Sequence, residues 1–342
     1  MLMTLPAYGQ YIGGGSSAFA FMGLPVSARL NALGGSNVSV RDGDITMAMN
    51  NPALLGDRTH MVLSMNFCYI MQGTMFASAM YGHNFGRSKI EKPFIDANGV
   101  PDKPNYFMAG IYYLDHGKMQ YADQYGNLTG GSFTAKDIVI HATYARQLGE
   151  HFSVGVTLKP VMSFYESYNS FAIGADVGGH FQMKDSTLQV GLTLQNIGWQ
   201  LKGFYSREGG QQTELLPLNL QLGLSYHFKH APLRLSFTYH NMQTWKLDYQ
   251  NADISGLDMF FRHTIFTIEV MPKSERFWIA LSYNHRHRAE MNLKDQRSFA
   301  GFHVGAGVRI YKFRLNFALS QLTKSNLTYQ VGLALDINSM MK

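Results

Sequence analysis

Apolar residues alternate with small or polar ones along most of this chain. The pattern is clearest near the C-terminal end. There Leu327, Tyr329, Val331, Leu333, Leu335 and Ile337 interleave with Thr328, Gln330, Gly332, Ala334 and Asp336. Successive side chains of a strand point to opposite faces, so this segment presents one hydrocarbon face and one polar or small face. Comparable stretches predict fourteen strands, at 60–71, 73–84, 105–115, 136–148, 151–165, 170–183, 186–198, 217–228, 232–245, 260–271, 275–288, 298–310, 312–322 and 326–338. In 217–228 the outward set is Leu218, Leu220, Leu222, Leu224, Tyr226 and Phe228, and Asn219, Gln221, Gly223, Ser225 and His227 point inward. Strands of about ten residues, apolar outside and polar inside, mark a transmembrane β-barrel. The expected fold class is therefore all-β, a transmembrane antiparallel β-barrel of about 14 strands. A soluble β-sandwich or propeller also alternates. Its solvent face would be rich in Lys and Glu, whereas here the polar face is Gly, Ser, Thr, Asn and Gln with isolated charges. Lys159, Asp176, Gln221, Arg234, His240, Glu269, His303, Arg309, Arg314 and Asp336 fall on the lumen side.

The connections carry a second signal. Counted back from the end, Tyr311-Lys312, Pro272-Lys273-Ser274, Lys229-His230-Ala231, Lys184-Asp185-Ser186 and Gly149-Glu150 are tight. The stretches 289–297, 246–259, 200–216 and 116–135 are long. Outer-membrane barrels have short periplasmic turns and longer external loops, and an even strand number puts both barrel ends in the periplasm. The Pro-rich stretch 86–104 breaks the rule, being long on the periplasmic side.

Composition agrees with a lipid-facing surface. Only 15% of the 342 residues are charged, against about 25% in soluble domains. There is no apolar run of roughly 18 residues that would make a transmembrane helix. Glycine (34), tyrosine (19) and phenylalanine (23) are abundant, as lumens and interfacial girdles require. Trp199, Trp245 and Trp278 lie near strand ends and are expected in such girdles. The net charge of +6 is scattered, which argues against nucleic acid and for lipopolysaccharide phosphates or an acidic partner. Cys68, the single cysteine, follows no lipobox. Residues 1–9 read as the remnant of a signal peptide, with Ala7-Tyr8-Gly9 of small-x-small form before Gln10. Residues 10–59, rich in Gly, Ser and Asn, read as an N-terminal plug or hatch, and 60–342 as the barrel.

Chemistry is sparse. Gly13-Gly14-Gly15-Ser16-Ser17 lacks the lysine of a phosphate-binding loop. His285 and His287 share a strand face and could chelate a metal. Beside Arg286 and Arg288 they read better as a solvated rim. No Ser/His/Asp set carries a local signature, so an outer-membrane lipase or acyltransferase is disfavoured. The expectation is a non-enzyme without cofactor.

The run from Ser27-Ala28-Arg29-Leu30 through Leu33-Gly34-Gly35 and Val38-Ser39-Val40 into Asp42-Gly43-Asp44, then Asn50-Asn51-Pro52-Ala53-Leu54-Leu55, resembles the plug of FadL/PorV-like outer-membrane barrels. Gly13-Gly14-Gly15, Phe19-Ala20-Phe21, Leu24-Pro25-Val26 and the stretch from His116 to Asp176-Val177-Gly178 resemble the PorQ family of the type IX secretion system. That resemblance implies a fourteen-stranded barrel in the outer membrane of a Gram-negative, Bacteroidetes-like bacterium. It also implies a place in the cell-surface attachment complex, where a PorZ-like surface protein is held beside PorU-like and PorV-like components. Asp42 and Asp44 are expected to pair with an inward Arg or Lys, such as Lys159, or to cap local amides. The external stretches display Tyr121, Tyr125, Phe204, Tyr205, Arg207, Tyr249 and Arg297 as candidate partner contacts, since aromatics and Arg dominate interface hot spots. The alternative is a FadL-like transporter of hydrophobic small molecules, which needs an apolar pocket and a lateral opening.

Overall fold

The computed structural model describes residues 19–71, 73–85, 105–123, 125, 127–204, 206–207, 210–211, 213–247, 254–272, 274–291, 298–322 and 326–340. The signal-peptide reading, the Gly13–Gly15 run and the Pro-rich stretch 86–104 lie outside them.

Fourteen strands close into one antiparallel barrel. They are β1 (Val62–Met71), β2 (Thr74–Phe85), β3 (Asn105–Ala122), β4 (Leu128–Gln147), β5 (Phe152–Tyr165), β6 (Tyr168–Gln182), β7 (Leu188–Lys202), β10 (Asn219–His227), β11 (Leu233–Tyr239), β12 (Thr264–Val270), β13 (Phe277–Asn284), β14 (Phe302–Ile310), β15 (Phe313–Ser320) and β16 (Thr328–Asp336). The remaining two, β8 (Ser206–Arg207) and β9 (Gly210–Gln211), form a small separate hairpin. Each barrel strand pairs with its neighbours along the chain, and β1 pairs with β16 from Val62↔Asp336 to Tyr69↔Tyr329. Closure leaves no unpaired edge, the condition for placing strands in lipid.

The faces follow the alternation. Leu222 is 38% exposed and Gln221 2%. Phe302, Val304 and Val308 point out on β14, and His303 is buried. A continuous apolar exterior of this extent is foreign to a water-soluble surface. No described helix is long and apolar enough to cross a membrane.

The structure corrects several strand ends. The predicted strand 275–288 stops at Asn284 and continues as helix α3 (His285–Met291), so His285 and His287 do not share a strand face. The predicted 260–271 begins only at Thr264, after helix α2 (Gly256–Arg262), whose N-cap Ser255 accepts from the Asp258 amide. The stretch 116–135, expected as a loop, is mostly β3 and β4, which run 18 and 20 residues. At about 3.3 Å per residue these strands extend well beyond a span of ten or so. Trp278 is half-buried on the inner face and stacks under Arg29 at 4.2 Å, so it is not a girdle residue. Trp199 and Trp245 are half exposed.

Candidate functional site

The barrel interior is occupied by the chain's own residues 19–59. Helix α1 (Ala28–Ala32) starts at Ser27, whose hydroxyl accepts from the Leu30 amide. It packs against β13–β16 and β1, while the short turn Pro52–Leu54 packs against β4–β6 on the opposite wall. Leu30, Leu33, Val40, Ile45 and Leu55 form an apolar core with inward Met80, Tyr106 and Met108.

Polar contacts fix this segment to the wall. Asn51 donates to the carbonyls of Val38 (2.8 Å) and Gly179 (3.1 Å) and caps the amide of Ala53. Ser153 donates to the Ala53 carbonyl, and Gln195 to that of Asn50. The Ser36 hydroxyl donates to Gln221 and accepts from Asn50. Ser282 donates to the Ala32 carbonyl and Asn284 to that of Gly34. Gly34 and Gly35 adopt φ of +90° and +95°, a left-handed region that residues with a Cβ resist.

A buried ion cluster joins segment and wall at the end carrying the short turns. Arg29 Nη2 lies 2.7 Å from Asp42 and 2.6 Å from Glu269. Arg234 reaches Glu269 at 2.5 Å and Asp42 at 3.1 Å. Burial by itself would raise the Asp42 carboxyl; the two guanidiniums outweigh it and hold it well below the usual range. Two cations and two carboxylates thus neutralise each other inside. Asp44 instead caps the Thr46 amide and accepts from Asn316. Asp42 thus pairs with an inward Arg, Arg234, and Asp44 caps a local amide; Lys159, the cation named from the sequence, meets neither. Lys159 pairs with Asp176 at 2.6 Å and also meets Asn196. Asn196 has φ +59° where the β6–β7 register shifts between Ala175 and Val177, so this polar triad fills a bulge in the wall. Next to the ion cluster is a cavity of about 40 Å³, lined in part by Arg309 and Arg314.

Towards the opposite end the interior turns apolar. Phe19 and Phe21 pack with Cys68, Ile70, Phe76, Tyr112, Leu114, Val139, Val161, Ala172 and Leu216. Beyond Gly34-Gly35, His303 bonds Asn31 (2.8 Å) and His287 of α3 (3.2 Å), while His285 bonds Asp258 of α2. His240 is buried beside Asn241. Among the described residues no group of three or more His, Cys, Asp or Glu is arranged to hold a metal.

The candidate partner residues scatter. Tyr121 and Tyr125 sit on the long β3–β4 hairpin, Tyr125 being 81% exposed and Tyr121 bonding Glu166 at 2.5 Å. Phe204 stacks on Tyr165. Arg207 lies in β8; Tyr205, Tyr249 and Arg297 lie outside the described residues. Sequence reasoning missed the central role of Arg29. The available signal was a lone cation within a helical turn of otherwise uncharged residues, which must find buried carboxylates.

No protein-family model matches the chain, and no curated protein matches it. Among solved structures it resembles the Pseudomonas putida toluene transporter TodX, with a TM-score of 0.53 at 12% identity, covering 91% of this chain and 97% of that one. A deltaS2S3 mutant of TodX, a monoaromatic hydrocarbon channel, gives 0.53 at 13% identity over 90% and 96%. A Pseudomonas aeruginosa FadL homologue gives 0.48 at 10% identity over 91% and 98%. The class is thus a closed fourteen-stranded antiparallel barrel, a fold shared with TodX.

Proposed function

We propose that this protein is a plugged outer-membrane barrel that anchors a surface partner, in the manner the PorQ resemblance implies for the type IX attachment complex. A plug as such is common to both readings, so the observation that supports this one is the ionic closure of the interior. To open the turn-bearing mouth, segment 19–59 would have to leave the Arg29/Arg234–Asp42/Glu269 cluster. Breaking one such buried pair costs about 3–5 kcal/mol. The bulge in the β6–β7 wall is closed by a Lys159–Asp176 pair, which is poor lining for an apolar exit. The β3–β4 hairpin rises past the other strands and carries exposed Tyr121, Tyr125 and Leu128, a platform on a rigid scaffold. Lipid and lipopolysaccharide cover the wall; a PorZ-like protein and PorU-like and PorV-like components are the expected partners.

A second reading is passage of small hydrophobic molecules. Fold likeness by itself favours it, since the similar solved structures are a toluene transporter and its variants. The apolar layer around Phe19 and Phe21 supplies a place for such a molecule once those rings move. One experiment separates the two. The barrel is purified from its native membrane, with and without residues 120–129 of the hairpin, and both proteins and extracted lipophilic compounds are identified. Anchoring predicts a co-purifying surface protein that the truncation releases. A retained apolar compound, with no surface protein lost on truncation, would replace anchoring by transport.

A further inference from the structure

Arg309 of β14 and Arg314 of β15 face each other directly across the sheet. Like charges opposite one another in a sheet destabilise it unless something lies between. Among the described residues little does so. The nearest carboxylate oxygen to Arg309 is Asp336, at 3.9 Å, and Arg314 donates to the Gly43 carbonyl at 2.9 Å. Arg276, at the β12–β13 turn, lines the same cavity and makes no ion pair among the described residues. Deeper in, Arg29 is 1% exposed and lines the cavity too, yet its Nη1 has no hydrogen-bond partner. A fully buried guanidinium nitrogen with nothing to donate to is costly.

We propose that this cavity, at the end of the barrel bearing the short turns, binds a carboxylate of an acidic peptide segment between Arg276, Arg309 and Arg314, with Arg29 Nη1 at its floor. The volume of about 40 Å³ holds roughly three water-sized groups, the size of one carboxylate. Guanidinium forks match a planar carboxylate through paired hydrogen bonds. Trp278 and Met271 form apolar sides against which a side-chain stem can lie. The lining carboxylates are already engaged: Asp42 by Arg29 and Arg234, Asp44 by Thr46 and Asn316, Glu275 by Arg58. Their standing negative charge disfavours a dianionic phosphate relative to a singly charged carboxylate.

The test uses the full chain in detergent micelles. Trp199→Phe and Trp245→Phe leave Trp278 as the only tryptophan, reporting directly from the cavity. The probes are a capped tetra-aspartate peptide, its tetra-asparagine counterpart and inorganic phosphate. The expected result is a saturable change in Trp278 emission with tetra-aspartate, none with tetra-asparagine, and weakening by added salt. Arg276→Gln with Arg309→Gln should weaken binding at least about tenfold, the loss expected for one charged hydrogen bond. Lys229→Gln, removing one charge at another turn, should leave it unchanged. Retained heat-modifiable gel mobility shows that each variant is folded. No saturable response, an equal response to tetra-asparagine, or undiminished binding by the double variant would overturn the site. Saturation by phosphate alone would overturn the peptide as its occupant. None of these results depends on whether the barrel anchors a partner or passes an apolar cargo.

Discussion

Gly34 and Gly35 share a sequence pattern and a positive φ, yet their surroundings separate them. A Cβ on Gly34 would sit 2.3 Å from Ile265 Cγ2, whereas one on Gly35 would meet His287 at 3.6 Å. Both substitutions to Ala carry backbone strain of about 1–2 kcal/mol. Gly34→Ala adds overpacking of about 1–3 kcal/mol. Thermal unfolding should therefore rank Gly34→Ala well below Gly35→Ala; equal midpoints would refute the packing argument. Asp42→Asn poses a different problem, leaving Glu269 alone against buried Arg29 and Arg234. A local loss of about 3–5 kcal/mol is expected. It should appear as trypsin cleavage after Arg41 or Arg58 in a barrel that still shows its gel shift. The pair Asp42–Arg234 was not legible from the sequence, because the two residues stand 192 positions apart and periodicity says only that Arg234 points inward.

At the scale of elements, the two faces of β10 differ in what they tolerate. Leu222→Arg places a cation towards lipid, costing about 2–4 kcal/mol near the midplane. Gln221→Arg is not harmless either, since Gln221 is wedged between Ser36 and Gln195. It should loosen the inner segment while the barrel still inserts. The fraction of heat-modifiable protein in membranes should fall sharply for Leu222→Arg and little for Gln221→Arg. Helix α3 gives a pH prediction. Burial, with Arg286 nearby, pushes His287 down to about 4. Its folded value lies below the unfolded one of about 6.5, so the folded helix binds fewer protons between them. Docking of α3 is fully stable above about 6.5 and weakens as pH falls towards 4. The protection factors of residues 285–291, exchange rates corrected for the intrinsic pH dependence, should fall over that window, and His287→Gln should flatten the fall. Other groups near His287 include His303, Glu290, His240 and the backbone at Gly35. The period-two pattern overran into α2 and α3 because short helices at strand ends carry the same mix of aromatic and charged residues.

At the scale of the whole molecule, closure by fourteen paired strands predicts anomalous migration of unheated protein in detergent gels. A single mobility before and after boiling would count against the barrel. The alternation that sets lipid face from lumen face is local, and so strand number and side-chain facing were legible from residues alone. The motif 27–55 marked a compact segment, since its glycines and its Asn-Pro turn restrict the backbone locally. What the sequence could not hold is which wall residue meets which inner one. Arg29 reaches Glu269 and stacks on Trp278, and Asn31 reaches His303, only because closure of β1 on β16 folds distant positions around one axis. The juxtaposed arginines at 309 and 314 likewise needed a strand register, because a shift of one residue would have sent one of them to lipid.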